Sequence, residues 1–566
     1  MQKFIARLLG TETPEAPPNP ANTPGMALGA QYMAHVTGAQ QALTAHDLNA
    51  AQQHYEAGLA AALANNDKAA QQFFYSGLGT VHYRADAYDA AQSAFLDALA
   101  LAQQLGDQML VARSRINLGE LYAKQGQPDR AKDYHEQALE AARTSEDNVT
   151  LALALENLAR VYIGQDNPAY AVHLLREGVA KAQEAQEPRV GASLLGWLGR
   201  AHLAMGDRGE GRRYLEQGQR LAMQIGRQGL ALQWVVALAD TDRLEGNYRA
   251  AIERYHAAED LARRVGRQPK SFYQDIALNL SVAYRKLGDF AQAETQAERA
   301  LQHAREREDE ITIAQATAAL GLAQQGRGQH VRAAENLQTV LAAYENGLLQ
   351  DDGDHAAILN ALGKSYVRLK RHAEAEAIFE QSLAYAESND EAKRMAEARH
   401  LLGTVKAAQG ERQMAFDLLK AAIRGFESEG EMAAAARALC DLGNLRRQTG
   451  DLNGATTDFE KALMHLSSID DQVTRGLVLS NAANLYTQLG DVATAESFYE
   501  ESIKIARELR DIHSESIRLG NLAWFYVLTG RTVRALGHFE EALNISRRLE
   551  DQLLIAIQTN NSAYAY

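Results

Sequence analysis

The sequence predicts an all-α repeat protein, a solenoid of about thirteen helix–turn–helix units followed by a half-unit. Three observations carry that prediction. First, a turn-forming residue recurs at His46, Asp86, Gly126, Asp166, Gly206, Gly246, Gly288, Gly328, Lys370, Gly410, Gly450, Gly490 and Gly530, every 40 residues except for two steps of 42. Second, a small residue stands seven positions before each of these, from Ala39 and Gly79 to Ala483 and Ala523. Third, alanine, or Gly211 in one copy, stands five positions after each, from Ala51 to Ala535. Two small residues on facing helices are expected to let the two backbones approach closely.

The copy at residues 481–506 shows why the unit folds locally. Ala482, Ala483, Leu485, Tyr486 and Leu489 recur at the spacing of one helix face. Gly490 stops that helix, since glycine takes the left-handed conformation without a Cβ clash. Asp491 can then accept from the first free N–H groups of a second helix. That helix presents Ala495, Phe498, Tyr499, Ser502 and Ile505 on one stripe. Neither helix buries its stripe alone, so the units must stack.

In chain order, residues 1–25 form a tail. Pro14, Pro17, Pro18, Pro20 and Pro24 make an extended linker, and Phe4, Ile5, Leu8 and Leu9 before it are spaced for a short amphipathic turn that could dock on another protein. Residues 26–550 hold the thirteen units. Leucine precedes the small residue in most copies, as at Leu118, Leu158 and Leu442. Tyrosine stands four before the turn at Tyr122, Tyr162, Tyr284, Tyr366, Tyr486 and Tyr526. Tyr55, Phe95, Phe379, Phe459, Tyr499 and Phe539 stand nine after it, read as core knobs. Pro128 and Pro168 fall where a helix tolerates proline, and Pro188 and Pro269 are placed in turns between units. Residues 551–566 read as the first helix of an incomplete fourteenth unit, whose apolar face is expected to support end-to-end self-association or to continue in a longer chain.

A small residue at position 8, tyrosine at 11, alanine at 20 and an aromatic at 24 resemble the tetratricopeptide repeat. The 40-residue period is similar to the variant of kinesin light chains, LGN/Pins-type adaptors and bacterial peptide-sensing regulators, without the usual proline near position 32. The resemblance implies a right-handed superhelix whose first helices line a concave groove, with positions 2, 5, 6, 9, 12 and 13 facing it. It also implies protein or peptide binding.

Composition narrows the function classes. With 58 Lys+Arg against 72 Asp+Glu the chain carries a net charge of −14, which argues against nucleic acid or an anionic membrane surface as partner. Cys440 is the one cysteine, and no apolar run reaches 18 residues, so a cytoplasmic, non-membrane protein is expected. The chemistry-like motifs dissolve on inspection. Gly363-Lys364-Ser365 has the tail of a phosphate loop, yet Ile358 stands where its first glycine belongs. Asp351, Asp352, Asp354 and His355 fit no calcium-loop spacing. Cys440 has no activating histidine at a fixed repeat position and reads as a buried structural thiol. No catalytic set, cofactor or metal is expected.

The residues left over on the inward positions are the candidate site. Asn117, Asn157, Asn279, Asn481 and Asn521 share position 6, and Asn444 and Asn484 share position 9. An asparagine amide both donates and accepts, so it can hold the main chain of an extended peptide. The resemblance assigns them that role, with Arg113, Arg160 and Arg200 selecting acidic side chains and Glu120, Glu156 and Asp240 selecting basic ones. The expected function is a non-enzymatic interaction scaffold. The alternative is the sensing arm of a larger signalling protein whose output domain lies outside this chain.

Overall fold

Each hairpin turns on one residue with a left-handed backbone, and the sequence phase locates it. The computed structural model describes residues 29–45, 47–266, 268, 270–350, 355–549 and 551–564. Every described member of the turn series has positive φ, including the non-glycines Asp86 (57°), Asp166 (57°) and Lys370 (58°). A second left-handed series closes each unit about twenty residues later, at Asn66, Gly106, Glu146, Gln186 and Gly226 in the first part of the chain. The residue after the turn often caps the next helix. Asp491, for example, accepts from the Thr494 N–H at 3.1 Å, and Asp207, Asp289 and Asp451 do the same in their units. Such a cap contributes about 1 kcal/mol.

The result is all helix. The described residues hold 27 α-helices and two short 3-10 turns, with no strand among them, and a typical helix such as Ile512–Leu528 has 17 residues. They divide into two compact units, residues 1–283 and 284–566, each an α-solenoid in its own right. Within each, successive helices pack side by side, and the first helices of neighbouring repeats also touch directly. The helix Gln552–Ala563 packs on Thr532–Arg548. No helix among the described residues is long and apolar enough to cross a membrane.

Packing explains the small-residue ladder, with one correction. Where the small residue is glycine, the atoms nearest its Cβ position belong in most copies to the knob sixteen residues later rather than to the alanine on the facing helix. A Cβ on Gly79 would lie 2.4 Å from the Phe95 ring, and one on Gly363 would lie 2.4 Å from Phe379. Among the copies with glycine at this place, the expected backbone approach is seen in the glycine-rich one, where a Cβ on Gly199 would meet the Gly211 carbonyl oxygen at 2.7 Å. The knobs Phe95, Phe379, Phe459, Tyr499 and Phe539 are all buried. His135 takes the knob place opposite Gly119, and burial lowers its pKa to about 4, so it packs as a neutral ring. A second correction concerns Pro188, which opens the helix Pro188–Ala204 at its first position. The amino-terminal tail, His46, Pro269, Asp351, Asp352, Asp354 and Tyr566 lie outside the described residues.

One carboxyl is buried between first helices. Glu156 Oε1 accepts from the Ser193 hydroxyl at 2.7 Å, while its Oε2 is buried with no hydrogen-bond partner. Burial pushes this carboxyl up to about 7, opposed by Ser193 and Arg160.

Two predictions follow from this packing. The helical glycine Gly196 lies where a Cβ would sit 2.0 Å from the buried Trp234 ring, whereas Gly537 is exposed with nothing within 4 Å. Gly196→Ala should therefore lower stability by about 1–3 kcal/mol through overpacking. Gly537→Ala should raise it by roughly 0.5–1 kcal/mol through helix propensity, and thermal unfolding reads both signs. For Glu156, the folded chain keeps a proton that the unfolded chain has already lost, so stability should fall as pH rises from the ordinary carboxyl range through about 7. Glu156→Gln should remove that slope and gain on the order of 1–3 kcal/mol at pH 8, with little change near the ordinary carboxyl value of 4.5. Equal pH profiles for the two proteins would refute the burial account.

Candidate functional site

The inward positions of the first unit form a built cleft. Its volume is about 650 Å³, and it lies over the first helices Pro188–Ala204 and Gln228–Leu244. Arg200, Leu203 and Ala204 line it from one repeat, at positions 9, 12 and 13. Gln233, Val236, Ala237, Asp240 and Leu244 line it from the next, at positions 2, 5, 6, 9 and 13. Phe272 closes one side. These are the positions that hairpin packing leaves unused. The floor is therefore apolar, with one cation and one carboxylate at its edge.

A cationic ledge adjoins the cleft. Trp197 occupies position 6, the place of the asparagines in other repeats. The Arg160 and Arg200 guanidiniums lie 5.1 and 4.9 Å from its ring centre, and the buried Trp234 supports it edge-on at 5.9 Å. Such cation–π contacts contribute roughly 0.5–1 kcal/mol when exposed. Arg160 is satisfied further, donating to Glu120 Oε1 at 2.5 Å and to Asn157 Oδ1 at 3.0 Å. Arg200 feels the Asp240 carboxylate but makes no ion pair within 4 Å among the described residues. Across the cleft Asp240 Oδ1 accepts from the Tyr255 hydroxyl at 2.5 Å and from the Asn279 amide at 3.2 Å. Burial raises the Asp240 pKa against the Tyr255 hydrogen bond and the charges of Arg243 and Arg200.

The candidate residues thus fall into three groups. Arg160, Arg200, Asn157 and Asn279 gather around this cleft, although Asn157 is itself buried and donates to the Leu153 carbonyl at 3.0 Å. Asn117 and Arg113 serve as braces between repeats: Asn117 donates to Ser76 Oγ at 3.4 Å, while Arg113 donates to Thr150 Oγ1 at 2.9 Å and pairs with Asp147 at 3.4 Å. Arg437 repeats the Arg113 brace on Thr474 and Asp471, one more sign that it is a packing device. Asn444, Asn481, Asn484 and Asn521 belong to the second unit. Asn481 donates to Cys440 Sγ at 3.4 Å and to the Leu477 carbonyl at 3.2 Å, and Asn484 Oδ1 accepts from the Tyr499 hydroxyl at 2.7 Å. Asn444 reaches Cys440 Sγ at 4.0 Å.

Cys440 is a buried thiol whose pKa is raised by desolvation, as a structural role requires. Gly363 and Ser365 lie inside the helix His355–Arg368, where the Ser365 hydroxyl donates to the Ala361 carbonyl at 2.9 Å. No group of three or more His, Cys, Asp or Glu suited to a metal occurs among the described residues. The residue that the sequence reading missed is Trp197. Its signal was present, since an exposed-phase tryptophan replaces asparagine at position 6.

Comparison with known proteins agrees on the family. The tetratricopeptide repeat profile matches residues 71–144, 111–184, 354–428 and 474–548, and a second profile of the same description matches 436–464. Together they cover just over half of the chain. A profile of anaphase-promoting complex subunit 5 matches residues 240–325. A search of curated proteins found no match. Among solved structures, a Rap protein complexed with competence and sporulation factor is 13% identical, covering 71% of this chain and 99% of its own, with a TM-score of 0.44. The APC/C hetero-tetramer Cut9–Hcn1 is 13% identical over 94% of this chain and 96% of its own, with a TM-score of 0.38. A signal-transduction ATPase with a tetratricopeptide sensor from Pyrococcus horikoshii is 14% identical over 70% and 52%, with a TM-score of 0.40. At such identities these likenesses concern the fold alone. By its repeat phase and its profile matches, the chain belongs to the tetratricopeptide repeat family.

Proposed function

We propose that the chain is a non-enzymatic interaction scaffold and that the cleft of its first unit holds a peptide segment of a partner protein. The observation that supports this reading is the cleft itself: an apolar floor on the inward positions, with Arg200 beside it and in no ion pair within 4 Å among the described residues. An aliphatic or aromatic side chain entering the floor would gain about 1.5–3 kcal/mol from burial. A carboxylate next to it on the ligand would meet Arg200 in a charge-assisted hydrogen bond of similar size. Asp240 and Gln233 at the opposite edge would take main-chain or side-chain donors. The partner so described is a peptide with an apolar anchor and an adjacent acidic residue.

We read the compartment as the cytoplasm, because the chain's one cysteine leaves it no internal disulfide to form. An array working as the sensing arm of a larger regulator would use the same cleft.

Affinity capture from the source lysate, with mass spectrometry, tests the reading when run beside two variants. Proteins retained by the parent chain should be lost from Arg200→Glu and from Val236→Asp, with at least tenfold less recovered and melting temperatures unchanged. Equal recovery on all three chains would contradict a role for the cleft.

A further inference from the structure

A buried carboxyl stands behind the cationic ledge of the cleft. Glu156, on the first helix Asn148–Gly164, is 8 % exposed. Its Oε1 accepts at 2.7 Å from the hydroxyl of Ser193, which shares a helix with Trp197 and Arg200. Its Oε2 is buried and has no hydrogen-bond partner among the described residues. As a neutral acid the group is short of one acceptor. As a carboxylate it is short of a cation, and in a buried place that deficit is far larger. Burial accordingly pushes its pKa up to about 7.

Arg160, one helical turn later on the same helix, is the cation that acts on Glu156. A carboxylate followed four residues later by a cation is the favourable order for pairing along a helix. Arg160 is engaged elsewhere in this structure: it donates to Glu120 and Asn157 and lies over Trp197, as Arg200 does. Glu120, on Gln108–Lys124, repels a charge on Glu156. The second helices Pro128–Thr144 and Pro168–Glu184 have their charges committed, Lys132 to Glu136, Arg143 to Glu177 and Lys181 to Glu184, while Arg176 is exposed. His135 is a neutral ring near pH 7. The strip from Glu120 to Asp240 thus sets the guanidiniums of Arg160 and Arg200 among three carboxyl groups, and the proton on Glu156 decides their balance.

We propose that Glu156 is a proton switch on the cleft, an inference that rests on the reading of the cleft as a site for an acidic ligand. Protonated, Glu156 leaves Arg160 over Trp197, where it and Arg200 together draw a ligand carboxylate. Ionised, it takes Arg160 for itself, so the ledge loses a cation and the strip gains a negative charge. Acidic ligands are therefore held in acid and released as the pH rises. By linkage, a bound carboxylate favours the proton on Glu156.

Two measurements on the full chain test the switch, and the first needs no ligand. The indole resonance of Trp197, identified by its loss in Trp197→Phe, is followed by nitrogen-15 NMR between about pH 5 and 9. It should shift with one midpoint at about 7, and Glu156→Gln, which mimics the protonated side chain, should abolish the shift. Ser193→Ala removes a hydrogen bond that favours the charged form, so it should move the midpoint upward. A resonance that stays fixed, or that titrates alike in Glu156→Gln, would overturn the proposal. The second measurement uses histidine-free peptides, selected from a random phage library on the parent chain at about pH 6 and lost from Val236→Asp. Their retention should fall roughly fivefold or more by about pH 8 on the parent and stay level on Glu156→Gln. Retention that is level on both chains, or falls equally on both, would overturn the switch on binding. A library yielding no peptide dependent on Val236 would count against the cleft reading instead, and the Trp197 titration would still decide whether Glu156 moves Arg160.

Discussion

The contact on which the rest depends is the fit between a small residue on each first helix and a large one sixteen residues later on the second. Gly79 with Phe95, Gly119 with His135, Gly363 with Phe379 and Gly443 with Phe459 are four instances of the same lock. It fixes how close and at what rotation the two helices of a hairpin meet. It also consumes one face of every first helix, and the neighbouring repeats consume the flanks. What remains of the first helix is a single strip per repeat, and the proposed binding uses it. The second helices keep free faces as well, as at Gly537, where nothing lies within 4 Å of an added Cβ.

Charge serves the stacking more than the binding. Arg113 and Arg437 tie their helices to the capping aspartate of the following repeat. Glu294, Glu376 and Glu496 occupy equivalent places on second helices and reach Arg327, Lys406 and Arg531 of the next repeat. The 212 repeat inverts the sign, with Arg212 meeting Asp242 and Glu245. Each partly exposed pair contributes only about 0–1 kcal/mol. Repeated along the array, they fix register between neighbours in a molecule whose stability is a sum of local terms. The net charge of −14 is therefore a weak guide to partners, and the local balance around Arg200 is a better one.

Most of the fold was legible in the sequence because its signals are local. A positive φ at Asp86, Asp166 and Lys370 follows from their phase with nine glycines, even though their residue types alone do not demand it. The candidate site was legible only in outline. Several inward positions line the cleft, Arg200 and Asp240 among them, yet which asparagines are free depends on the offset between repeats. Asn117 with Ser76 and Asn481 with Cys440 are both contacts across 41 residues. A period of 40 says that repeats are equivalent, and says nothing of which position meets which across the joint. His135 shows the same limit, since only the shape of its pocket reveals that an imidazole can stand for a phenylalanine ring.

The central claim is that binding uses the strip that packing leaves over. Hydrogen–deuterium exchange on the full chain, with and without a captured partner, addresses it most directly. The account predicts slowed exchange on the first helices Pro188–Ala204 and Gln228–Leu244, with the second helix Arg208–Gln224 between them unchanged. Protection confined to second helices, or spread evenly over both, would contradict it.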